Sequence, residues 1–405
     1  MKTRKVQLKK YMQRFLSILF FIGNIFCLIS TVHAEVADTA HYRISIITCG
    51  SGQDLYSVYG HSAVRVIDSS HNTDIVYNYG TFNFGDPEFY SKFTRGKLDY
   101  YLNDEWYTDF MRTYIEEGRS VYEQVLQINQ RDASALNNFL VNNLKEENKY
   151  YKYDFLFDNC STRIRNMFSN YFGKRFTYGR VIADDSVSFR TILNYDERNI
   201  HWERMGINLL LSHRVDDKMT NDQSMFLPDY LMKGLARATL DGQPLVKETL
   251  QLLPEPNTFP DQSNQPRMLF WALLLVIVFL SLSPTIKKFL LFFDVLFFLL
   301  LGLLGCFMLF MWFGTEHQVC AWNRNLLWAF PLHVVFAFMI ARNTEKVKDY
   351  ARYTSWLLVI SMLYNLFADQ QYISEITPIL LLILFRLNHY SKVAGAFSLR
   401  KNMSL

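Results

Sequence analysis

The apolar residues of this chain are crowded at one end. Five apolar stretches, 268–284, 289–312, 325–341, 354–369 and 373–387, follow the Pro-rich linker LPEPNTFPDQSNQPR. A helix needs about 20 apolar residues to cross the hydrocarbon of a bilayer; the first three stretches approach that length and the last two are shorter. In lipid every backbone N–H and C=O must be paired within the protein, so spanning stretches of this kind are helices. The expectation is an all-α transmembrane bundle of about five helices at residues 263–405. Residues 35–262, by contrast, have an ordinary mixed globular composition.

Charge sets the orientation. With residues 35–262 outside, the inner loops carry Lys287, Lys288, Arg342, Lys346, Lys348 and Arg352, and the tail carries Arg386, Lys392, Arg400 and Lys401. The two short outer loops carry only Arg324. Lys and Arg are retained on the inner side, so the globular domain is exported and the tail stays in. The net charge of +4 is small and no Lys/Arg block marks a nucleic-acid surface.

Residues 1–34 fit an export signal. Lys2, Arg4, Lys5, Lys9, Lys10 and Arg14 precede the apolar run FLSILFFIGNIFCLIS, and VHA offers cleavage after Ala34. The alternative is an uncleaved anchor. Five cysteines are too few for a disulfide framework; Cys27 belongs to the leader and Cys306 to an apolar stretch. Cys49, Cys160 and Cys320 remain on the exported side, an odd number, so at least one thiol stays free in an oxidising space.

The exported domain reads as α+β. YRISIITCG, HSAVRVID, DIVYNYGTF and VYEQVLQI have the alternation or β-branched content of strands. EWYTDFMRTYI has helical spacing through Trp106, Phe110 and Tyr114. DASALNNFLVNNLKEEN is a helix capped by Asp132, with Leu136, Phe139, Leu140 and Leu144 on one face. In DNCSTRIRNMFSNYFG, residues Ile164, Met167, Phe168, Tyr171 and Phe172 form a buried stripe, Asp158 or Asn159 caps the start, and Gly173 ends the helix.

Cys160 falls in the first turn of that helix. Free N–H groups and the helix dipole there favour an anion, which suits a thiolate. His61 opens a strand directly after Gly60. A strand-borne imidazole facing a cysteine at a helix N-terminus is the geometry of papain-like thiol enzymes. Here histidine precedes cysteine, an order that suits circularly permuted, NlpC-type versions of the fold. Asn78 or Tyr79 on the next strand would orient the imidazole, and alternation allows only one of them; Asn78 is preferred. Cys49 is the rival thiol but has no helix dipole. A packed cysteine and a hydrogen-bonded histidine are the plainer reading of the pair. No CxxC or HExxH spacing occurs, so no metal or cofactor is expected.

The outer loop GTEHQVCAWNRN holds His317, Asn323 and Asn325, which are candidates for a substrate site if the loop faces the exported domain; otherwise it is a solvated connection. His333 lies within the third stretch, where a polar side chain turns to the bundle interior. YYLNDEWYTDF is aromatic enough to rest at the lipid surface or to form a helix core face.

The set YGHSAVRV, YNYGTFNF, DNCSTRIR and MFLPDYL, followed by several apolar stretches containing WNRNLLWAFPL, resembles the Lnb-type lipoprotein N-acyltransferase family over nearly all of the chain after the leader. Carried over by position, the family's histidine is His61 and its nucleophile Cys160; Ser62 departs from the threonine expected in many relatives. The resemblance implies a bacterial inner-membrane enzyme with its catalytic domain in the periplasm. It would move an acyl chain from a membrane phospholipid to the α-amine of a lipoprotein's diacylglyceryl-cysteine, through a thioester on Cys160. Arg65, on the strand face of His61, is the candidate for holding the donor phosphate, against the plainer reading of a strand-surface arginine. Two alternatives from other classes stand beside this: a membrane-anchored cell-wall cysteine peptidase or amidase, and a non-enzymatic scaffold.

Overall fold

Period-two alternation puts three consecutive segments side by side. β1 (Tyr42–Cys49), β2 (His61–Asp68) and β3 (Thr73–Thr81) pair antiparallel in sequence. In this computed structural model residues 41–52, 57–183, 186–255, 263–368, 370 and 372–401 are described, with 393–401 in backbone alone. The leader expected at 1–34 and residues 256–262 of the linker lie outside them. β4 (Asp99–Trp106), β5 (Val121–Leu126) and β6 (Tyr150–Lys152) extend the sheet. β7 (Phe176–Thr177), β8 (Thr239–Leu240) and β9 (Gln243–Pro244) form a small sheet of their own. With β10 (Val246–Leu253), the large sheet has the order β10-β5-β1-β2-β3-β4-β6.

Helices cover both faces of the sheet. α1 (Phe89–Thr94) and α2 (Tyr107–Glu116) flank β4, and α3 (Gln130–Asn143) precedes β6. α4 (Cys160–Phe172) follows β6. Ile44, Ile46, Val64, Val66, Tyr77 and Tyr79 point to one face, where they pack with Leu136 and Leu140 of α3 and Ile164 and Phe168 of α4. The alternate residues Ile47, Cys49, Ala63 and Val76 meet Phe110 and Tyr114 of α2 on the other. A fully buried Ile or Val contributes about 1.5–3 kcal/mol. A one-residue slip would turn a whole strand inside out, so the register is strongly held.

Several expectations need correcting. YYLNDEW is strand β4 and not a helix face; Trp106 ends it 53% exposed, and the helical stripe begins at Phe110. Asn129, not Asp132, caps α3: its side chain accepts the Asp132 N–H. Phe139 and Tyr171 face outward because the inward stripes of α3 and α4 are narrower than their apolar content suggests.

α5 (Phe189–Asp196), α6 (His201–Leu210) and α7 (Pro228–Ala236) complete the N-terminal part. The C-terminal part is helical: α8 (Gln265–Leu280), α9 (Lys287–Phe313), α10 (His333–Ala341), α11 (Val347–Asn365) and α12 (Thr377–Lys401). Among the described residues the helical segment Pro284–Phe313 is long and apolar enough to cross a membrane by itself, and α8 is a shorter apolar helix. The stretch expected at 325–341 is broken. A 3-10 turn occupies Arg324–Leu327, and regular helix resumes only at His333, after Pro331, which cannot donate a backbone hydrogen bond. α10 lies close against α9 because Gly302 and Gly305 leave the room: a Cβ on Gly305 would sit 2.0 Å from the Ala329 carbonyl oxygen. Arg386 is no tail charge. It is buried in α12 and paired with Asp294 of α9.

The two parts are stitched at the C-terminus of α6. Its last carbonyls have no partner within the helix. Asn323 Nδ2 donates to the carbonyls of Leu209 and Leu210, at 2.7 and 3.0 Å. Asn325 Nδ2 donates to the Leu209 carbonyl at 3.1 Å. Arg204 of α6 also pairs with the buried Glu375, just before α12.

Candidate active site

Two chain features bring His61 to one end of the sheet. Gly60 has φ +79, and a Cβ there would lie 2.4 Å from the Cys49 carbonyl oxygen, so only glycine fits directly before the strand. Tyr59 donates to Glu197, next to the end of α5, which fixes the incoming loop. By strand parity His61 shares a face with Asn78, and Nε2 of His61 lies 3.1 Å from Asn78 Oδ1.

Cys160 arrives from the opposite face as the first residue of α4. Asn159 caps the helix with a reciprocal box: its Oδ1 accepts the Thr162 N–H at 2.9 Å, and Thr162 Oγ1 accepts the Asn159 N–H at 2.7 Å. Asn159 Nδ2 donates to the Phe155 and Phe226 carbonyls, at 2.8 and 3.0 Å, so the start of α4 is held from two sides. The thiol then reaches over Gly80 of β3, whose φ is +92 and whose missing Cβ would lie 3.9 Å from the Cys160 Cβ. There the side chains of Cys160 and His61 hydrogen-bond, and the Ser62 N–H donates to the sulfur. Asn78 occupies Nε2, which leaves Nδ1 as the nitrogen turned to the thiol.

Burial works against charge on both groups, and their mutual attraction outweighs it. Burial raises the Cys160 thiol, but the His61 charge, its hydrogen bond and the Ser62 N–H bring it below the usual thiol range. Burial lowers His61, but the Cys160 thiolate and Asn78 lift it above the usual imidazole range. The pair therefore favours thiolate and imidazolium. Cys49 is the opposite case: burial pushes its thiol up to about 12, so it stays protonated. Cys49, Cys160, Cys306 and Cys320 are all free of disulfides.

Sequence reasoning missed Glu105. Its Oε1 accepts from Asn78 Nδ2 at 2.8 Å, and burial raises its carboxyl above the usual range. A carboxylate can only accept, so it turns the Asn78 amide with Nδ2 toward itself and Oδ1 toward His61. Oδ1 in turn requires a proton on Nε2, which frees Nδ1 to exchange one with the thiol. The available signal was the cross-strand position of Glu105 on the neighbour of β3, legible only once β4 was known to be a strand. Tyr79, the other choice for orienting the imidazole, instead accepts from Asn143 of α3 through its hydroxyl.

The remaining residues expected at a substrate site are engaged elsewhere. Arg65 is buried, with Nε and Nη2 on Asp74 at 2.8 and 2.6 Å and Nη1 on Glu123 at 3.0 Å, so its guanidinium is saturated before any phosphate arrives. Asn323 and Asn325 cap α6, and His317 Nε2 bonds to the Phe93 carbonyl at 3.1 Å. His333 is held inside the bundle between the Trp328 carbonyl and the Tyr350 hydroxyl. Among the described residues no group of three or more His, Cys, Asp or Glu side chains is placed to hold a metal ion.

Two family models match the chain: the Lnb N-terminal periplasmic domain over residues 31–194 and the Lnb transmembrane domain over residues 258–394. The chain belongs to the Lnb-type lipoprotein N-acyltransferase family. Its N-terminal domain is periplasmic and its C-terminal domain lies in the inner membrane. His61, Asn78, Glu105 and Cys160 all fall within the first match, and α8 to α11 within the second. Lnb membership implies an acyltransferase and suggests lipoprotein processing with a membrane lipid as donor. No curated protein and no solved structure matches the chain.

Proposed function

We propose that this Lnb protein transfers a fatty acyl chain from a membrane phospholipid to the α-amine of a lipoprotein's diacylglyceryl-cysteine, with Cys160 as nucleophile, His61 as acid and base, and Asn78 orienting the imidazole. The observation that carries the reading is the meeting of the Cys160 and His61 side chains, with Asn78 Oδ1 3.1 Å from His61 Nε2, in a chain tied to a membrane domain. A sheet-borne imidazole against a thiolate in the first turn of a helix is the papain-like arrangement, here with histidine first and five helices following.

The Cys160 thiolate attacks the donor ester carbon, and a C–S bond forms. Of the N–H groups at the start of α4, those of Asn159 and Thr162 are used by the capping box. The N–H groups of Cys160 and Ser161 then meet the oxyanion. As the C–O bond breaks, the His61 imidazolium gives its proton to the leaving lysophospholipid oxygen. The acceptor amine next attacks the thioester, neutral His61 takes the amine proton, the amide forms and the thiolate leaves. A tethered peptidase would work without the Asn323 and Asn325 caps that fasten α6 to the membrane domain, which favours a donor drawn from the bilayer.

Mass spectrometry of lipoprotein N-termini tests this: cells lacking the gene should lose one amide-linked acyl chain, and unchanged N-termini would reject the reading. Glu105 gives a finer test as a positioning residue. Glu105→Gln removes the negative charge that favours the imidazolium and no longer forces the Asn78 amide one way. The His61 pKa should fall, so the alkaline limb of Cys160 acylation moves to lower pH, with a rate loss of about tenfold at its optimum. Glu105→Asp should restore part of it, whereas a purely structural glutamate would leave the limb in place.

A further inference from the structure

Between β3 and β4 the chain makes a short aromatic excursion, FNFGDPEFYSKF, that the chemistry above does not use. It leaves apolar surface uncovered: Phe84 is 63%, Tyr90 81% and Phe93 51% exposed. Exposed aromatic side chains grouped in this way mark an interaction surface. The structure says what lies beside it. The Phe93 carbonyl bonds to His317 Nε2, and the Arg95 carbonyl accepts the Glu316 N–H at 2.9 Å. Glu316 comes three residues after Phe313, the last residue of α9. Three residues of chain span at most about 10 Å, so α1 sits at the level where α9 leaves the membrane. That level carries its own marker, because Trp312 packs on Phe313 and Trp322, and Trp is enriched where hydrocarbon meets headgroups.

The excursion also connects inward. Phe89 stacks on Phe93 at 5.9 Å and on Phe82 at 5.6 Å, and Phe84 lies 4.6 Å from Phe82. Phe82 meets Tyr100 at 5.4 Å, and Tyr100 stacks on Tyr153 at 4.5 Å. Tyr153 and Cys160 both lie against the bare α-carbon of Gly80. An unbroken aromatic row thus runs from the exposed face of α1 to the thiol. We infer that Phe84, Tyr90 and Phe93 sit in the outer leaflet of the inner membrane and that the row behind them guides the acyl chain of the donor lipid up to Cys160. The second half rests on the proposed acyl transfer; the first rests only on the placement of α1.

The test uses the full chain in vesicles of tritiated phosphatidylethanolamine, with a benzophenone amino acid replacing Tyr90 or Phe93 in turn. The same replacement at Phe289, an exposed residue of α9, shows that the assay reports lipid contact. Lipid adducts at 90 and 93 are expected; adducts at 289 alone overturn the placement. The variant Phe84→Ser/Tyr90→Ser/Phe93→Ser should acylate Cys160 about tenfold more slowly from vesicle phospholipid while keeping its rate with water-soluble p-nitrophenyl butyrate. Equal loss with both donors, or no loss with either, overturns the guiding role. Failure of the acyl-transfer reading would look different: wild-type Cys160 would take no acyl group from vesicles while the adducts at 90 and 93 still formed.

Discussion

Cys160→Ala should abolish the proposed acyl transfer and leave the chain folded. The thiol is small and the cap that holds α4 belongs to Asn159 and Thr162, so alanine disturbs neither packing nor capping. What disappears is, among the described residues, the one thiol with a depressed pKa, and the loss expected for the nucleophile of a coupled pair is about 10³-fold or more. Incubated with labelled phospholipid and no acceptor, the native chain should carry a hydroxylamine-labile acyl group on Cys160, and the variant none. Cys49→Ala is the matched control, since that thiol is buried and protonated; its labelling should persist. A labile acyl group on the Cys160→Ala chain would remove the mechanism.

The second large effect lies in the membrane domain. Asp294 and Arg386 are both about 1% exposed and meet through two hydrogen bonds, of 2.7 and 2.6 Å. Tyr390 donates to the same carboxylate, and Arg386 Nη1 donates to the Ser281 hydroxyl at the end of α8. The cluster therefore ties α8, α9 and α12 together. Removing one charge leaves the other buried without its counter-ion, which costs about 3–5 kcal/mol. Asp294→Leu or Arg386→Met alone should sharply lower the thermal unfolding midpoint in micelles. The double variant should recover most of it, because two apolar side chains of similar size need no pairing. Equal destabilisation by the single and double variants would show that the pair is not the source of the effect.

Much of the fold was written locally. Strand alternation in β1, β2, β3 and β5 and the stripe of α4 followed from spacing, and the cysteine at a helix start followed from the cap and glycine around it. Asn78 was legible through parity: it and Tyr79 must face opposite sides, and the structure puts one on His61 and the other toward α3. The failures share a cause. YYLNDEW carries aromatic residues that fit a strand edge and a helix face equally well, and only pairing with β3 and β6 separates the two. Arg65, Asn323 and Asn325 looked like ligand-binding residues because polar side chains near a site carry no local sign of whom they serve. Asp74 on the neighbouring strand claims Arg65, and Glu123 and the end of α6 make their claims across long sequence separations.

Hydropathy, charge asymmetry and strand period are sums over neighbouring residues, so the order of the amino acids alone determined a periplasmic sheet domain ahead of membrane helices and set its orientation. Proton affinity depends on what surrounds a group in space. Only the tertiary structure decided that the thiol from one face of the sheet meets the imidazole from the other over Gly80, and that Glu105 completes the line behind Asn78. The aromatic excursion lay in plain view in the sequence, but its place beside the end of α9 was set by hydrogen bonds to a loop more than 200 residues away.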